Sequence, residues 1–269
     1  MSTDLQKLQI YARISEGFRK IVEENKLQGE EVNCRIIAKG YTNSLPKLSD
    51  NSKNFVEQHF KMPSDEYALV KGKEVIVRCK FKGSYGDAFT DQPRAFRGKL
   101  KDVLGLFFGD AGARAIYFAS LNAVLGHLGM VRGTVHCRED EPRRCGMQLA
   151  DYIQNKFGNV KVAHIGYQPG HVEACSKYFE SYVTDMSPEN IGNVKFGRKI
   201  LDASENEKVI KKVKVACISG STLTNATLPD LIKWCEAYGV KPLIYGVSGA
   251  GAAKILGLEH FCPYGHDRP

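Results

Sequence analysis

Hydrophobic and polar residues follow two different patterns along the chain. In the first 25 residues the apolar positions recur at helical spacing, which predicts an amphipathic helix over residues 4–25. From residue 160 onward, short apolar runs alternate with amphipathic segments and end in glycine-rich turns. Strands that alternate with helices are typical of a mostly parallel, doubly wound sheet. We therefore expect the second half of the chain to be Rossmann-like.

The first half has a mixed pattern. Residues 31–38 are expected to form a strand, and the two strand-like runs within residues 66–81 predict a hairpin around Lys71-Gly72-Lys73. The polar stretches 42–52 and 83–93 predict loops. These elements indicate a small α+β domain.

A long helix is predicted over residues 109–130, where small and apolar residues are interspersed. Small residues allow another backbone to approach closely, so this helix is expected to be buried. We place the domain boundary just before it, with an N-terminal α+β domain over 1–108 and a Rossmann-like domain over 109–269. A homodimer is compatible with helices of this kind.

Composition narrows the class of protein. The chain has 269 residues and eight cysteines, without a CxxC pair, so neither a zinc ribbon nor a thioredoxin motif is present. It has no run of 18 apolar residues and no export signal, so we expect a cytoplasmic protein with reduced thiols and no membrane partner. The net charge of +8 is spread along the chain. A solvated surface explains it best, attraction of a small anionic molecule comes next, and a nucleic-acid partner rests on net charge alone.

The strongest local signal lies at residues 215–230. An apolar strand runs directly into Gly220-Ser221-Thr222, and polar side chains including Asn225 follow before the next helix. Ligands of open α/β sheets bind outside the carboxyl ends of the strands, where backbone N–H groups attract anions. Helix capping alone needs one hydroxyl, so this segment predicts a ligand site.

Two further turns resemble parts of a nucleotide site. Gly166 and Gln168 lie in the first turn of the Rossmann-like half, and Asp185 ends the next strand, where dinucleotide folds place a ribose-binding acid. The turn is not GxGxxG, which favours another adenosyl ligand, or no nucleotide at all, over NAD. Gly246 and Ser248 occupy a third glycine-rich turn.

Other candidates are single polar residues. Arg114 and Asn122 lie eight positions apart, near one face of the long helix, where they could point into a cleft. Cys262 and His266, joined by Cys137, could hold a soft or borderline metal ion. A buried cysteine and a surface histidine would give the same pattern.

Several segments together resemble the putative heavy-metal chelation family, uncharacterised proteins common in anaerobic bacteria and archaea. The resemblance covers roughly residues 80–269 and is strongest at Ser219–Thr227. The segments that carry it are GDAGARAIYFASLNAVL, IGYQP, VTDMSPENIG, CISGSTLTNATL and YGVSGAGAAKILGLEHFCPYG.

This resemblance implies a small domain similar to the enolase N-terminal fold, then a Rossmann-like domain, with a site in the cleft between them. The site residues that it implies come from both halves: Asp87, Thr90, Arg114, Asn122, Asp185, Asn190, Gly220, Ser221, Thr222 and Asn225.

Two functions remain open at this point. The first is a binding or chelation protein that holds a small anionic molecule, a divalent metal or a metal complex in the interdomain cleft. The second is a transferase-like enzyme of anaerobic cofactor metabolism that acts on a small anionic substrate with an adenosyl cofactor such as S-adenosylmethionine.

Overall fold

The computed structural model describes residues 3–37, 56–57, 62–64, 66–71, 74–106 and 109–269. The predicted loop at 42–52 lies outside these residues. The chain has a mixed first sheet, a larger second sheet and helices around both, which confirms an α/β fold with an α+β first part. None of the described helices has the length and apolar character needed to cross a bilayer.

The helices are named in chain order. They are α1 (Thr3–Glu24), α2 (Ala68–Lys71), α3 (Leu100–Leu104), α4 (Ala111–His127), α5 (Glu141–Phe157), α6 (Pro169–Tyr178), α7 (Asn206–Ile210), α8 (Leu228–Ala237) and α9 (Ala250–Leu256).

The first sheet contains β1 (Glu31–Ile37), β2 (Val56–Glu57), β3 (Val75–Phe81), β4 (Ser84–Thr90) and β5 (Phe96–Lys99). Its order is β2-β1-β3-β4, with β5 also paired to β1. All pairs are antiparallel except β1 with β2.

The predicted hairpin at residues 66–81 is wrong. Its first run forms the helical turn α2, and the hairpin instead joins β3 to β4 through Lys82 and Gly83. Both turn residues have positive φ, 46° and 85°, which is the geometry that matches the twist of two antiparallel strands.

The predicted loop at 83–93 is also wrong. Most of it is strand β4, which pairs with β3 along its full length. A Cβ on Gly86 would lie 2.4 Å from the Ala119 carbonyl oxygen, so the glycine lets β4 lie directly against α4. Glycine and polar residues here serve close packing, which their composition does not distinguish from a loop.

The second sheet contains β6 (Val162–Ile165), β7 (Ser181–Asp185), β8 (Val194–Lys195), β9 (Arg198–Asp202), β10 (Val215–Ser219), β11 (Lys241–Tyr245) and β12 (Glu259–Phe261). Its order is β12-β11-β10-β6-β7-β9-β8, and every pair except β8 with β9 is parallel. The chain leaves β6 toward one edge and later returns through β10 toward the other. This is the Rossmann strand order, and its switch point lies between β6 and β10.

Alternate residues of the central strands bury opposite faces of this sheet. Val215 and Cys217 pack with α5 and α6, whereas Ala216 and Ile218 pack with α1, α4, α8 and α9. Both faces are covered, as parallel sheets require.

Helix α4 lies between the two sheets. One side contacts β4 at Gly86, and on the other side a Cβ on Gly251 of α9 would lie 2.8 Å from Leu121. Helix α1 also reaches the second part of the chain, because the Tyr11 hydroxyl donates to the Leu223 carbonyl oxygen at 3.3 Å. The predicted division after residue 108 remains a prediction.

Candidate functional site

A cavity of about 660 Å³ opens at the switch point of the second sheet. Its floor is formed by the ends of β6, β7, β10 and β11, and its other wall comes from the first part of the chain near α2, β3 and β4. This volume is typical of a pocket for an organic molecule. The first sheet therefore covers part of the Rossmann crevice and leaves an opening to solvent.

The turn after β6 is built for a tight change of direction. Gly166 has φ of 94°, and the Tyr167 amide that follows donates to Asp185 Oδ2 at 2.7 Å. The Gln168 side chain accepts from the His171 amide, and Pro169 opens α6 without an N–H group. The first turn of α6 thus has few free donors for a phosphate, unlike a dinucleotide-binding loop.

Asp185 holds the neighbouring loop. Its Oδ1 accepts from the Ser187 amide at 2.7 Å and from Asn190 Nδ2 at 3.2 Å, in addition to the Tyr167 bond to Oδ2. Three N–H donors therefore face this carboxylate, and no described lysine or arginine pairs with it.

The turn after β10 is one 3₁₀ turn, and α8 begins only at Leu228. Most of its amides bond within the turn: Ser221 N donates to Ser219 Oγ, and the Thr224 and Asn225 amides donate to the Ser221 carbonyl. A Cβ on Gly220 would lie 2.5 Å from the Gly249 amide nitrogen. Gly220 is therefore needed where the turns after β10 and β11 touch.

The turn after β11 joins the two parts of the chain. Ser248 Oγ accepts from the Phe89 amide of β4 at 3.0 Å, and Ser248 is 2% exposed. Tyr245 donates to the Gly166 carbonyl oxygen at 2.8 Å. These bonds fix the cavity wall from both sides.

The cavity brings together most residues that the sequence predicted to bind a ligand. They are Thr90, Gly166, Gln168, Asp185, Asn190, Gly220, Ser221, Thr222, Asn225, Gly246 and Ser248. Their role in binding stays a prediction.

The other three predicted ligand residues lie away from the cavity lining. Asp87 is fully buried and paired with Arg78 at 2.7 Å and 2.8 Å. Arg114 Nε donates to the Thr224 carbonyl oxygen at 2.7 Å. Asn122 Nδ2 donates to the Asp87 and Val247 carbonyl oxygens, and its Oδ1 accepts from the Gly251 amide. These contacts connect the walls of the site.

Sulphur and imidazole groups gather at one end of the cavity. Cys137, Cys145 and Cys262 all line it, together with His136 and His171. The His171 Nε2 lies 3.3 Å from Cys145 Sγ. Burial raises the pKa of Cys262 to about 12 and raises the pKa values of Cys137 and Cys145 further, which keeps these thiols protonated.

The predicted metal ligands are only partly brought together. Cys137 and Cys262 share the cavity end, whereas His266 bonds Glu141 Oε2 at 2.8 Å and does not line the cavity. Within the described ranges, no three His, Cys, Asp or Glu side chains are arranged to hold a metal ion. The described donors therefore do not form a ready chelating set.

Sequence reasoning missed Glu74, which lines the cavity just before β3. Burial, together with the nearby Asp185 and Asp91 carboxylates, raises the pKa of Glu74 to about 7. No motif marked this residue, because the cavity that it lines is completed by residues of the second half of the chain, such as Asp185. His171 was missed too, since it lies inside a helix that only the packing of α5 directs toward the cavity.

Three comparisons with known proteins bear on this geometry. A family model, DUF364, described as "Putative heavy-metal chelation", matches residues 148–249. This region of the chain is similar to DUF364 domains. It contains the turns after β6, β7 and β10, and it ends in the turn after β11.

Two solved structures of DUF364 proteins of unknown function are similar to the chain. The one from Pyrococcus horikoshii has 14% identity and a TM-score of 0.54, and the match covers 89% of this chain and 80% of that one. The one from Desulfitobacterium hafniense DCB-2 has 13% identity and a TM-score of 0.48, with 69% and 72% covered. The first likeness supports the fold of the chain. None of the curated proteins is significantly similar to the chain.

Proposed function

We propose that the protein binds a small polar molecule or a metal complex in the cleft between its two sheets. The observation that carries this is the cavity itself: about 660 Å³ at the Rossmann switch point, lined by both parts of the chain.

The walls of this cleft are held in place by buried contacts. Phe89 and Ser248 connect β4 to the turn after β11, and Asn122 connects the same two regions from behind. Tyr167 donates to Glu66 Oε2 at 2.9 Å across the opening. A cleft with walls fixed in advance loses little conformational entropy when a ligand binds.

We include heavy-metal binding in this proposal only as the binding of a metal that is already part of a complex. The family description supports it, and three thiols lie at one end of the cavity. The described residues do not provide a complete ligand set, so we assign them no chelation step. A metal would have to arrive with ligands of its own.

An enzyme that uses an adenosyl cofactor is the second candidate. The Rossmann strand order and the acid at the end of β7 favour it. Pro169 and Gln168 occupy the start of α6, which disfavours a pyrophosphate and so favours S-adenosylmethionine over a nicotinamide nucleotide.

A thermal-shift series on the full chain tests the binding site. S-adenosylmethionine, NAD⁺ and divalent metal salts are each added to wild type, Ser221→Phe and Ser204→Phe. Ser221 lines the cavity, whereas Ser204 is exposed and is not one of the lining residues. A ligand at about 100 times its Kd stabilises the folded state by about 2.7 kcal/mol, which is a readily measured rise in Tm.

We expect at least one of these ligands to raise the Tm of wild type and of Ser204→Phe, but not of Ser221→Phe. A shift that survives in Ser221→Phe would place binding elsewhere, and no shift with any ligand would contradict the proposal.

A further inference from the structure

The charge of the cleft is opposite to that of the protein. The chain carries a net charge of +8, yet the described residues that line the cavity include five acidic side chains and neither lysine nor arginine. These acids are Glu66, Glu74, Asp91, Asp185 and Glu189. An anionic ligand would meet repulsion here, so the lining favours a positively charged one.

Two of these carboxylates have no cationic partner among the residues that the structure describes. Glu66 pairs with Lys195, and Glu189 and Asp91 are exposed to solvent. Glu74 has no described hydrogen-bond or ion-pair partner, and Asp185 is bonded only by neutral N–H groups. Both side chains are half-buried in the cavity wall, and enclosing a carboxylate that no cation faces is costly, so a cation in the cavity would relieve that cost.

A second observation concerns hydrogen bonding rather than charge. His171 lines the cavity and is 2% exposed, and its Nδ1 has no hydrogen-bond partner. Burial lowers the pKa of His171 to about 3, so the ring is neutral and adds no positive charge. A buried polar atom of this kind is ordinarily satisfied, which points to a polar ligand at this wall.

The lining also indicates an organic ion rather than a bare metal. The cavity volume of about 660 Å³ suits an organic molecule, and the lining includes the apolar or aromatic side chains of Phe89, Tyr167 and Val247. The start of α6, occupied by Pro169 and Gln168, offers little to a phosphate group.

We propose, on the basis of the proposed function, that the ligand of this cleft is an organic cation without phosphate groups, such as a sulfonium or an ammonium compound, and that Glu74 is its charge-recognising residue. Asp185 supplies the second carboxylate, at the end of β7. The positive group of the ligand then lies near the carboxyl ends of β6 and β7, facing the start of β3.

Titration calorimetry with a charge series tests this. S-adenosylmethionine and S-adenosylhomocysteine differ by one methyl group and by the sulfonium charge, spermidine is an unrelated cation, and NAD⁺ is the phosphate-bearing comparison. Glu74→Gln removes the charge at nearly constant size. Asp151→Asn is the matched control, since Asp151 is exposed on α5 and away from the cavity.

We expect wild type to bind S-adenosylmethionine or spermidine, with S-adenosylmethionine favoured over S-adenosylhomocysteine by about tenfold. Glu74→Gln should lose that preference and weaken cation binding by about tenfold, whereas Asp151→Asn should behave as wild type. The Tm of Glu74→Gln without ligand shows that it folds.

The pH dependence gives an independent readout. The charged groups that face Glu74 are Asp185 and Asp91, and Tyr245 lies near it. A cation needs Glu74 ionised, so its affinity should rise by up to about tenfold between pH 6 and pH 8 in wild type and stay flat in Glu74→Gln.

The outcomes separate this inference from the proposed function. Binding of NAD⁺ or S-adenosylhomocysteine with no response to Glu74→Gln would overturn the inference, although the cleft would still bind a ligand. If no member of the series binds wild type, both are overturned.

Discussion

At the residue scale, the structure buries several ionisable side chains without giving them charged partners. His164 in β6 is fully buried, and neither ring nitrogen has a hydrogen-bond partner. Burial lowers the pKa of His164 to about 4, because a charged imidazole cannot be solvated there. Such a residue contributes stability above the pKa of the unfolded chain, near 6.5, and that stability is lost as the pH falls toward 4.

His164→Leu should therefore flatten the acid side of the stability profile. Between pH 7 and pH 5 wild type should lose about 2 kcal/mol through this residue, because only the unfolded chain takes up the proton. Urea denaturation at both pH values measures the difference. His127→Leu, at the exposed end of α4, is the control and should keep the wild-type profile. An equal pH dependence in His164→Leu and wild type would show that His164 is not the group responsible.

Some residues of the cavity could be predicted from the sequence, and others could not. Asp185, Gly166 and Ser221 were recognisable because strand ends mark a ligand edge, and the structure brings them to one cavity. Glu74 was not recognisable, because its importance depends on a carboxylate contributed by the other sheet. Arg114 and Asn122 do lie near one face of a helix, but that face contacts backbone rather than the cavity.

At the scale of elements, the second sheet was more predictable than the first. Parallel strands bury both faces and give continuous apolar runs, such as Val215–Ser219. Strand β4 has no continuous apolar run, because its glycine and polar residues allow close contact with α4 and pairing with β3. Strand β9, at Arg198–Asp202, was missed because it is only partly buried.

The close contact between β4 and α4 predicts that a larger residue at Gly86 destabilises the fold. Gly86→Ala places a Cβ 2.4 Å from the Ala123 amide nitrogen, where only backbone could move away, so it should destabilise the fold by about 1–3 kcal/mol. Gly29→Ala is the control, because nothing lies within 4 Å of its Cβ, and it should change stability by less than about 0.5 kcal/mol. Chemical denaturation measures both, and similar values for the two variants would mean that β4 lies farther from α4.

At the scale of the whole molecule, the two sheets share buried polar contacts. Asn122 is fully buried, and its amide bonds Asp87 of the first sheet and both Val247 and Gly251 beside the second. A buried group that loses its partners costs more than an exposed one. The two parts should therefore unfold together.

Asn122→Ala should lower the free energy of unfolding by about 2–4 kcal/mol, because three carbonyls and one amide lose their partner. Asn193→Ala removes one exposed bond to the Glu189 carbonyl and is the control. Denaturation followed by tyrosine fluorescence and by circular dichroism checks this. If Asn122→Ala were as stable as Asn193→Ala, the two sheets would be joined chiefly by apolar contacts.

The position of α4 between the sheets also constrains which substitutions such a chain can accept during evolution. Its residues near Gly86 must suit one half, and those near Gly251 must suit the other, with less than one turn of helix separating the two sets. In a chimeric protein that joins the first half of one relative to the second half of another next to this helix, one face of α4 would not fit the sheet or helix that it contacts. The halves are thus expected to diversify in concert.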